Sequence, residues 1–341
     1  MRKKIAVLIS SLVLVLGMST GMVNALDSDF TVSANIPENQ VDKSKSYFDV
    51  LVTPGQQETL EVVVKNTGDK DIIILPTVNS ATSSPTGVIN YGDTDAKKDS
   101  TLKYSMKDII KVDKEVSIPK NSEKVVQFKL TAPAEKFDGI LAGGFTFRQK
   151  EEEKKTEETQ TTGANIKNTY AFIIGVVLHQ DDSKNINADL RLNDVKATQS
   201  NARTIIASNL QNPVPRYIRD MSIKTKVYKK GDKAKKTLFS ASDEKFQMAP
   251  NSNFDHMTRL NGERIEAGTY YMHLEANAGA NHWEFDKEFT VTDDQAKDLN
   301  ASDVDVKDYT WIIVGAIAAV VVIAGIIFFV VKKKKKSIEE E

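Results

Sequence analysis

From residue 30 onward, apolar and polar positions alternate with a period of two. Phe30, Val32, Ala34 and Ile36 are separated by Thr31, Ser33 and Asn35. Leu60, Val62 and Val64 repeat the pattern, as do Val126, Phe128 and Leu130. Successive side chains of a strand point to opposite faces, so these segments predict strands with one face in a core and one in water. Turn-forming clusters fall between them: Thr53-Pro54-Gly55, Asn66-Thr67-Gly68-Asp69, Ser84-Pro85-Thr86-Gly87 and Ile118-Pro119-Lys120-Asn121. Many short strands at this spacing predict a β-sandwich.

The alternation stops at Lys150–Asn165, which is charged and carries no bulky apolar residue. Such a segment buries too little surface to offset the entropy of ordering. It reads as a domain linker or as an exposed hairpin tip, and its place near the middle of the chain favours the linker. A second alternating series follows: Tyr170, Phe172 and Ile174, then Val176–Leu178, Leu190 and Leu192, Thr204–Ile206, Ile218–Tyr228, Thr269–Ala276 and Phe285–Val291. Within Ile218–Tyr228, Ile223, Thr225 and Val227 share one face. The division this predicts is a first sandwich over 27–149, a charged linker over 150–166 and a second sandwich over 167–291. A polar, Asp-rich stalk follows over 292–309.

Two segments do not fit a soluble fold. Arg2, Lys3 and Lys4 precede the apolar run Ile5–Leu16 and the small-residue site Val23-Asn24-Ala25, the three parts of a secretory signal peptide over 1–25. Trp311–Val331 has no charge and is followed by Lys332–Lys336. That pattern predicts one transmembrane helix over 310–331 and a basic cytoplasmic tail over 332–341. The expected location is therefore the cell membrane, single-pass, with the N-terminal part extracellular and the C-terminus cytoplasmic. No LPxTG-type sorting motif precedes the apolar run.

Charge then sharpens the picture. The chain has 341 residues with 46 basic and 47 acidic side chains, for a net charge of −1. The leader carries +3 and the tail +2, which leaves the intervening chain at −6. A mildly acidic body argues against nucleic acid as a partner. The absence of cysteine excludes disulfide scaffolds, thiol catalysis and cysteine zinc sites.

Catalytic signatures are missing. His179, His256, His273 and His282 form no HExxH and no helical i, i+4 pair. There is no GxSxG, Walker A or GxGxxG sequence. The run from Asp181 to Asn187 has spaced oxygen ligands but carries Ile186 and Leu192 where an EF-hand needs Gly and Glu. The expectation is no enzyme, no catalytic residue, no metal and no cofactor. A cell-wall-active hydrolase and a structural surface subunit are the alternatives.

Several segments together resemble the WxL-interacting proteins of Gram-positive bacteria. In the first half they are Phe30–Gln40, Tyr47-Phe48-Asp49, Thr53–Gln56, Leu60–Asn66, Gly87–Tyr91, Val116–Pro119 and Phe137–Phe145. In the second they are Asn168–Gly175, Leu210–Pro215, Met248–Ser252, Ala267–Tyr270 and Trp283–Phe289. The resemblance implies a membrane-anchored surface adaptor with two tandem immunoglobulin-like β-sandwich domains. It implies WxL-domain surface proteins and peptidoglycan as partners, with host extracellular proteins as a further class. Neither tryptophan lies in a Trp-x-Leu, so the chain is not itself a WxL protein. For partner binding the stretch Glu38, Asn39 and Gln40 stands out, because it is polar, follows a strand and adjoins a proline. Tyr47 and Phe48 are the nearby aromatic candidates.

Overall fold

A computed structural model describes residues 29–92, 96–151, 170–181, 186–307, 315 and 317–327. The elements of the first half are β1 (Phe30–Asn35), β2 (Phe48–Leu51), β3 (Gln57–Asn66), β4 (Ile72–Ser80), β5 (Thr82–Ser83), β6 (Ile89–Asn90) and α1 (Met106–Ile109). They continue with β7 (Ile110–Lys111), β8 (Val116–Ile118), β9 (Glu123–Thr131), β10 (Ile140–Gln149) and β11 (Ala171–His179). Two sheets form, in the orders β1-β3-β9-β7 and β2-β11-β10-β4-β8. All neighbours are antiparallel except β2 and β11.

The alternating residues enclose the core as their periodicity predicts. Leu60, Val62 and Val64 of β3 and Val126, Phe128 and Leu130 of β9 are buried against Ile74, Phe145, Phe147, Val176 and Leu178 of the facing sheet. The Phe128 and Phe145 rings stack across the two layers at 3.7 Å. Strand β10 is buried on both faces, and its glycine pair explains how. A Cβ on Gly143 would lie 2.3 Å from the Asn79 carbonyl oxygen, and one on Gly144 2.4 Å from that of Tyr91. Only glycine permits these approaches.

β11 corrects the expected division. Expected to open the second sandwich, it pairs with β10 from Ile140↔His179 to Arg148↔Ala171, and with β2 on its other side. The charged segment therefore joins two neighbouring strands of one sheet. The hairpin reading accounts for this and the linker reading over 150–166 does not. Residues 152–169 lie outside the described residues. The physical reason is register: nine residues of β11 satisfy the edge of β10 and shield Phe145 and Phe147.

The second sandwich then contains β12 (Arg191–Ser200), β13 (Arg203–Asn212), β14 (Ile218–Lys229), β15 (Phe239–Met248), β16 (Ser252–Arg259), β17 (Gly268–Ala278) and β18 (Asn281–Val291). Its sheets run β12-β13-β16 and β15-β14-β17-β18. Ile223, Thr225 and Val227 share the inner face as read from the sequence. The expected stalk is instead a docked helix, α2 (Asp293–Ser302), begun by a capping box between Thr292 and Gln295. Ala296 is buried against the second core, Asn300 bonds both backbone groups of Ile265, and Asp303 accepts from the Thr204 amide at 2.7 Å.

The single-pass anchor and the membrane location expected from it are overturned. Among the described residues no helix is long and apolar enough to cross a membrane. Residues 310–314, 316 and 328–331 of the expected span, the tail 332–341 and the leader 1–25 lie outside the described residues.

The placement of β11 yields a test. A fragment ending at 149 leaves β2 without its sheet neighbour and one edge of β10 open beside Phe145 and Phe147, whereas one ending at 181 completes the sheet. Thermal unfolding followed by circular dichroism is expected to be cooperative for 29–181 and absent for 29–149.

Candidate functional site: a polar cleft between the sandwiches

The two sandwiches meet through polar atoms more than apolar ones. Strands β5 and β6 form a small hairpin whose turn holds Gly87 at φ +80°. The turn lies against the Phe246 ring, and the Gly87 carbonyl accepts from the Gln247 amide at 2.8 Å. The hydroxyls of Ser83 and Ser252 are 2.5 Å apart, and the Ala249 amide donates to Ser83. The Ile140 amide donates to the Pro215 carbonyl, and the Tyr91 hydroxyl donates to that of Tyr217 at 3.3 Å. Ala81, Ala142 and Ala249 form a small apolar cluster beside these contacts.

Asp99 lies at the centre of the contact and is 6% exposed. Its carboxylate accepts from the amide and hydroxyl of Thr101 at 2.8 and 2.7 Å, from Gln211 at 2.9 Å and from Asn253 at 2.5 Å. Gln211 and Asn253 belong to the second sandwich, so one buried charge takes donors from both. Burial works to raise its pKa, but the hydrogen bonds from Thr101, Asn253 and Gln211 outweigh it and hold the carboxyl below its ordinary value. Tyr217 nearby has its hydroxyl pKa pushed up, chiefly by burial, and Arg219 stacks on its ring at 4.6 Å.

Around Asp99 the contact opens into a cleft of about 210 Å³ lined by Ser80, Thr82, Lys97, Lys98, Leu102, Ser105, Lys107 and Asp108 from one side. Asn251, Ser252 and Asn253 line it from the other. A wider recess of about 470 Å³ adjoins it, with Asn193, Asn209, Gln211 and Asp255 on its wall. Amides, hydroxyls and lysines dominate. Such a lining suits a ligand rich in hydroxyl, amide and carboxylate groups, and it offers little to a lipid.

Most of the five expected partner-binding residues hold the fold instead. Gln40 is buried, donates to the Asp42 and Tyr47 carbonyls and accepts from the Asp49 amide. Asn39 donates to the Leu51 carbonyl and to Glu58. Together they fasten residues 39–41 along β2, so the outer edge of that strand is covered. Phe48 is fully buried beside Phe145, and Tyr47 packs on the same core beneath Lys45. Glu38 is exposed. The cleft residues escaped notice because Asp99, Gln211 and Asn253 are far apart in sequence, and only Gln211 falls in a segment that carries the resemblance.

One constellation resembles an acyl-transfer triad. Ser208 of β13 stands opposite His256 of β16, whose Nε2 is 2.9 Å from Asp243. Ser208 Oγ and His256 Nδ1 are both buried without a hydrogen-bond partner. The trio therefore lacks the nucleophile–base hydrogen bond and the access such chemistry needs. Burial, outweighing the bond to Asp243, depresses the His256 pKa.

Comparison with known proteins follows the same two-part division. Residues 30–149 match the family described as WxL Interacting Protein, peptidoglycan binding domain, and residues 161–301 match WxL Interacting Protein, host binding domain. The boundary between the two matches precedes β11, which the sheet assigns to the first sandwich. No curated protein sequence matches the chain. Among solved structures, the CsuC–CsuE chaperone–tip subunit complex of Acinetobacter baumannii is similar at 11% identity and a TM-score of 0.33. That likeness covers 76% of this chain and 98% of the other. The E. coli chaperone DraB is similar at 13% identity, a TM-score of 0.28 and coverages of 77% and 98%. A family 123 glycoside hydrolase from Clostridium perfringens gives 12%, 0.24, 44% and 27%. Likenesses this low bear on neither fold nor function.

Replacing Asp99 by Ala leaves the Gln211 and Asn253 amides without their charged acceptor. Hydrogen bonds to a charged group contribute about 1.5–3 kcal/mol each, so the docking of the two sandwiches should weaken. Calorimetry is expected to show one unfolding transition in the wild type and two in Asp99→Ala. A folded-state pKa below the unfolded one contributes stability that is complete above the unfolded value, about 3.9. That stability is lost as pH falls through the folded value, so the wild-type transition should split only in acid.

Proposed function

Because the chain belongs to the WxL Interacting Protein family, we propose that it is a surface binding adaptor, with one partner class for each sandwich. The first sandwich holds peptidoglycan, and the second holds a protein, either a WxL-domain surface protein or a host extracellular protein. The observation that carries this reading is the separate match of the two halves to a peptidoglycan binding and a host binding domain. The sandwiches are of the immunoglobulin-like kind in this reading, binding through faces and loops rather than through a reaction centre. Glu38 remains a candidate contact at the end of the arm that covers β2.

For the wall ligand we place the contact at the cleft beside Asp99. Peptidoglycan presents hydroxyls, acetamido groups and peptide carboxylates, and the Asn, Ser and Thr side chains with Lys97, Lys98 and Lys107 complement each of these. The three lysines are exposed, so they can take a ligand carboxylate without disturbing the Asp99 bonds.

Co-sedimentation with purified peptidoglycan tests the assignment. An exposed ion pair contributes up to about 1 kcal/mol, so reversing Lys97, Lys98 and Lys107 to Glu together should weaken retention by about tenfold or more. Retention of the triple variant at the wild-type level would remove the cleft as the wall site. A wild-type chain that stays in the supernatant would remove the peptidoglycan reading itself.

A further inference from the structure

The outer face of the sheet β12-β13-β16 carries a row of planar polar side chains that leads away from Asp99. Leu210 of β13 and Phe254 of β16 are buried in the second core, so the flanking Asn209, Gln211, Asn253 and Asp255 share the opposite face. Antiparallel register sets Asn209 opposite Asp255 and Gln211 opposite Asn253. The far end of the row comes from an irregularity in β12. The register against β13 shifts between Leu192 and Asp194, and Asn193 is the extra residue of that bulge. A bulge re-aims a side chain, and this one brings the Asn193 amide onto Asn209.

Hydrogen bonds run along the row toward the junction. Asn193 Nδ2 donates to Asn209 Oδ1 at 3.0 Å. Asn209 Nδ2 donates to Asn253 Oδ1 at 3.2 Å and to Asp255 Oδ1 at 2.7 Å, and Asn253 donates to Asp99. An amide has two N–H donors and two carbonyl lone pairs. Asn193 therefore keeps one N–H and its carbonyl oxygen, and Asn209 and Asn253 each keep a carbonyl lone pair. With neighbouring strands about 4.8 Å apart, the row extends about 10 Å across three strands. It forms one wall of the recess of about 470 Å³ beside the cleft. From the second sandwich that recess takes the three asparagines, Gln211, Phe254 and Asp255, and neither Lys nor Arg, whereas Lys97 and Lys98 line it from the first.

We propose that Asn193, Asn209 and Asn253 read the glycan strand of peptidoglycan, while the lysines of the first sandwich take the carboxylates of its stem peptides. The inference rests on the peptidoglycan reading of the cleft and assigns the two parts of that polymer to opposite walls. Sugar hydroxyl and acetamido groups donate and accept as amides do, and they carry no charge for Asp255 to repel. A stem carboxylate beside Asp255 meets a like charge, and Lys97 and Lys98 draw it to the other wall. The amides are already held by one another, so a glycan settling on them freezes few rotamers. Wall binding then belongs to both sandwiches, and the sheet β15-β14-β17-β18 is left for a protein partner.

Competition for the full chain bound to insoluble peptidoglycan tests the assignment with two soluble probes. One is glycan strands freed of their stem peptides by an amidase, and the other is the stem peptide alone. The peptide-free strands should displace the wild-type chain. Asn193→Ala and Asn209→Ala should each weaken binding of those strands by about 2- to 10-fold, the effect of losing a neutral hydrogen bond. Circular dichroism melting is the folding control, and Asn193, exposed on its bulge, bonds neither Asp99 nor a core residue. Displacement by the stem peptide and not by the strands, or wild-type affinity for the strands in both folded variants, would overturn the glycan assignment while peptidoglycan binding stands. A wild-type chain that peptidoglycan does not retain would remove the assignment together with the reading it rests on.

Discussion

A buried carboxylate needs hydrogen bonds, and Asp99 obtains them from both halves of the molecule. Thr101 supplies two donors locally, while Gln211 and Asn253 reach it from β13 and from β16 of the other sandwich. An unpaired charge at such a site costs more than an isolated salt bridge or hydrogen bond contributes. The relative placement of the sandwiches therefore follows from satisfying Asp99. The Ser83–Ser252 and Gly87–Gln247 contacts then fix the approach at neighbouring points.

The segments that carry the family resemblance converge on this contact. Gly87–Tyr91 supplies the turn against Phe246 and the Tyr91 hydroxyl. Met248–Ser252 supplies Ala249 and Ser252, Leu210–Pro215 supplies Gln211 and the Pro215 carbonyl, and Phe137–Phe145 supplies the Ile140 amide. Residues that carry the resemblance thus hold the two modules together. A cleft formed this way exists before any ligand arrives, so binding need not include the entropy of ordering two tethered domains. An adaptor with a fixed angle also holds its second partner at a set position from the first, which a flexible tether would not do.

The strand pattern was legible because period-two alternation reports directly on burial. Leu60, Val62, Val64, Val126, Phe128 and Leu130 all face the core as read. The domain boundary was not legible, because an apolar strand such as β11 fits either sandwich equally well by pattern. Only its register against β10 decides. The charged run before it misled for the same reason, since low hydrophobicity describes a hairpin tip as well as a linker. Asn39 and Gln40 were singled out as polar residues free of the fold, yet their amides fasten the arm over β2. The Asp99 contact was invisible, because it joins residues that spacing along one strand does not relate. The apolar C-terminal run was read as a membrane span, while among the described residues no helix is long and apolar enough to cross a membrane.

The account stands or falls on whether the two sandwiches hold one orientation in solution. The chain has no cysteine, so spin labels can be attached solely at Lys129→Cys on β9 and Ser240→Cys on β15, both exposed. Pulsed electron–electron resonance between them should give one narrow distance distribution at neutral pH. A broad distribution, of the kind two tethered but independent domains produce, would contradict the fixed junction and the preformed cleft with it.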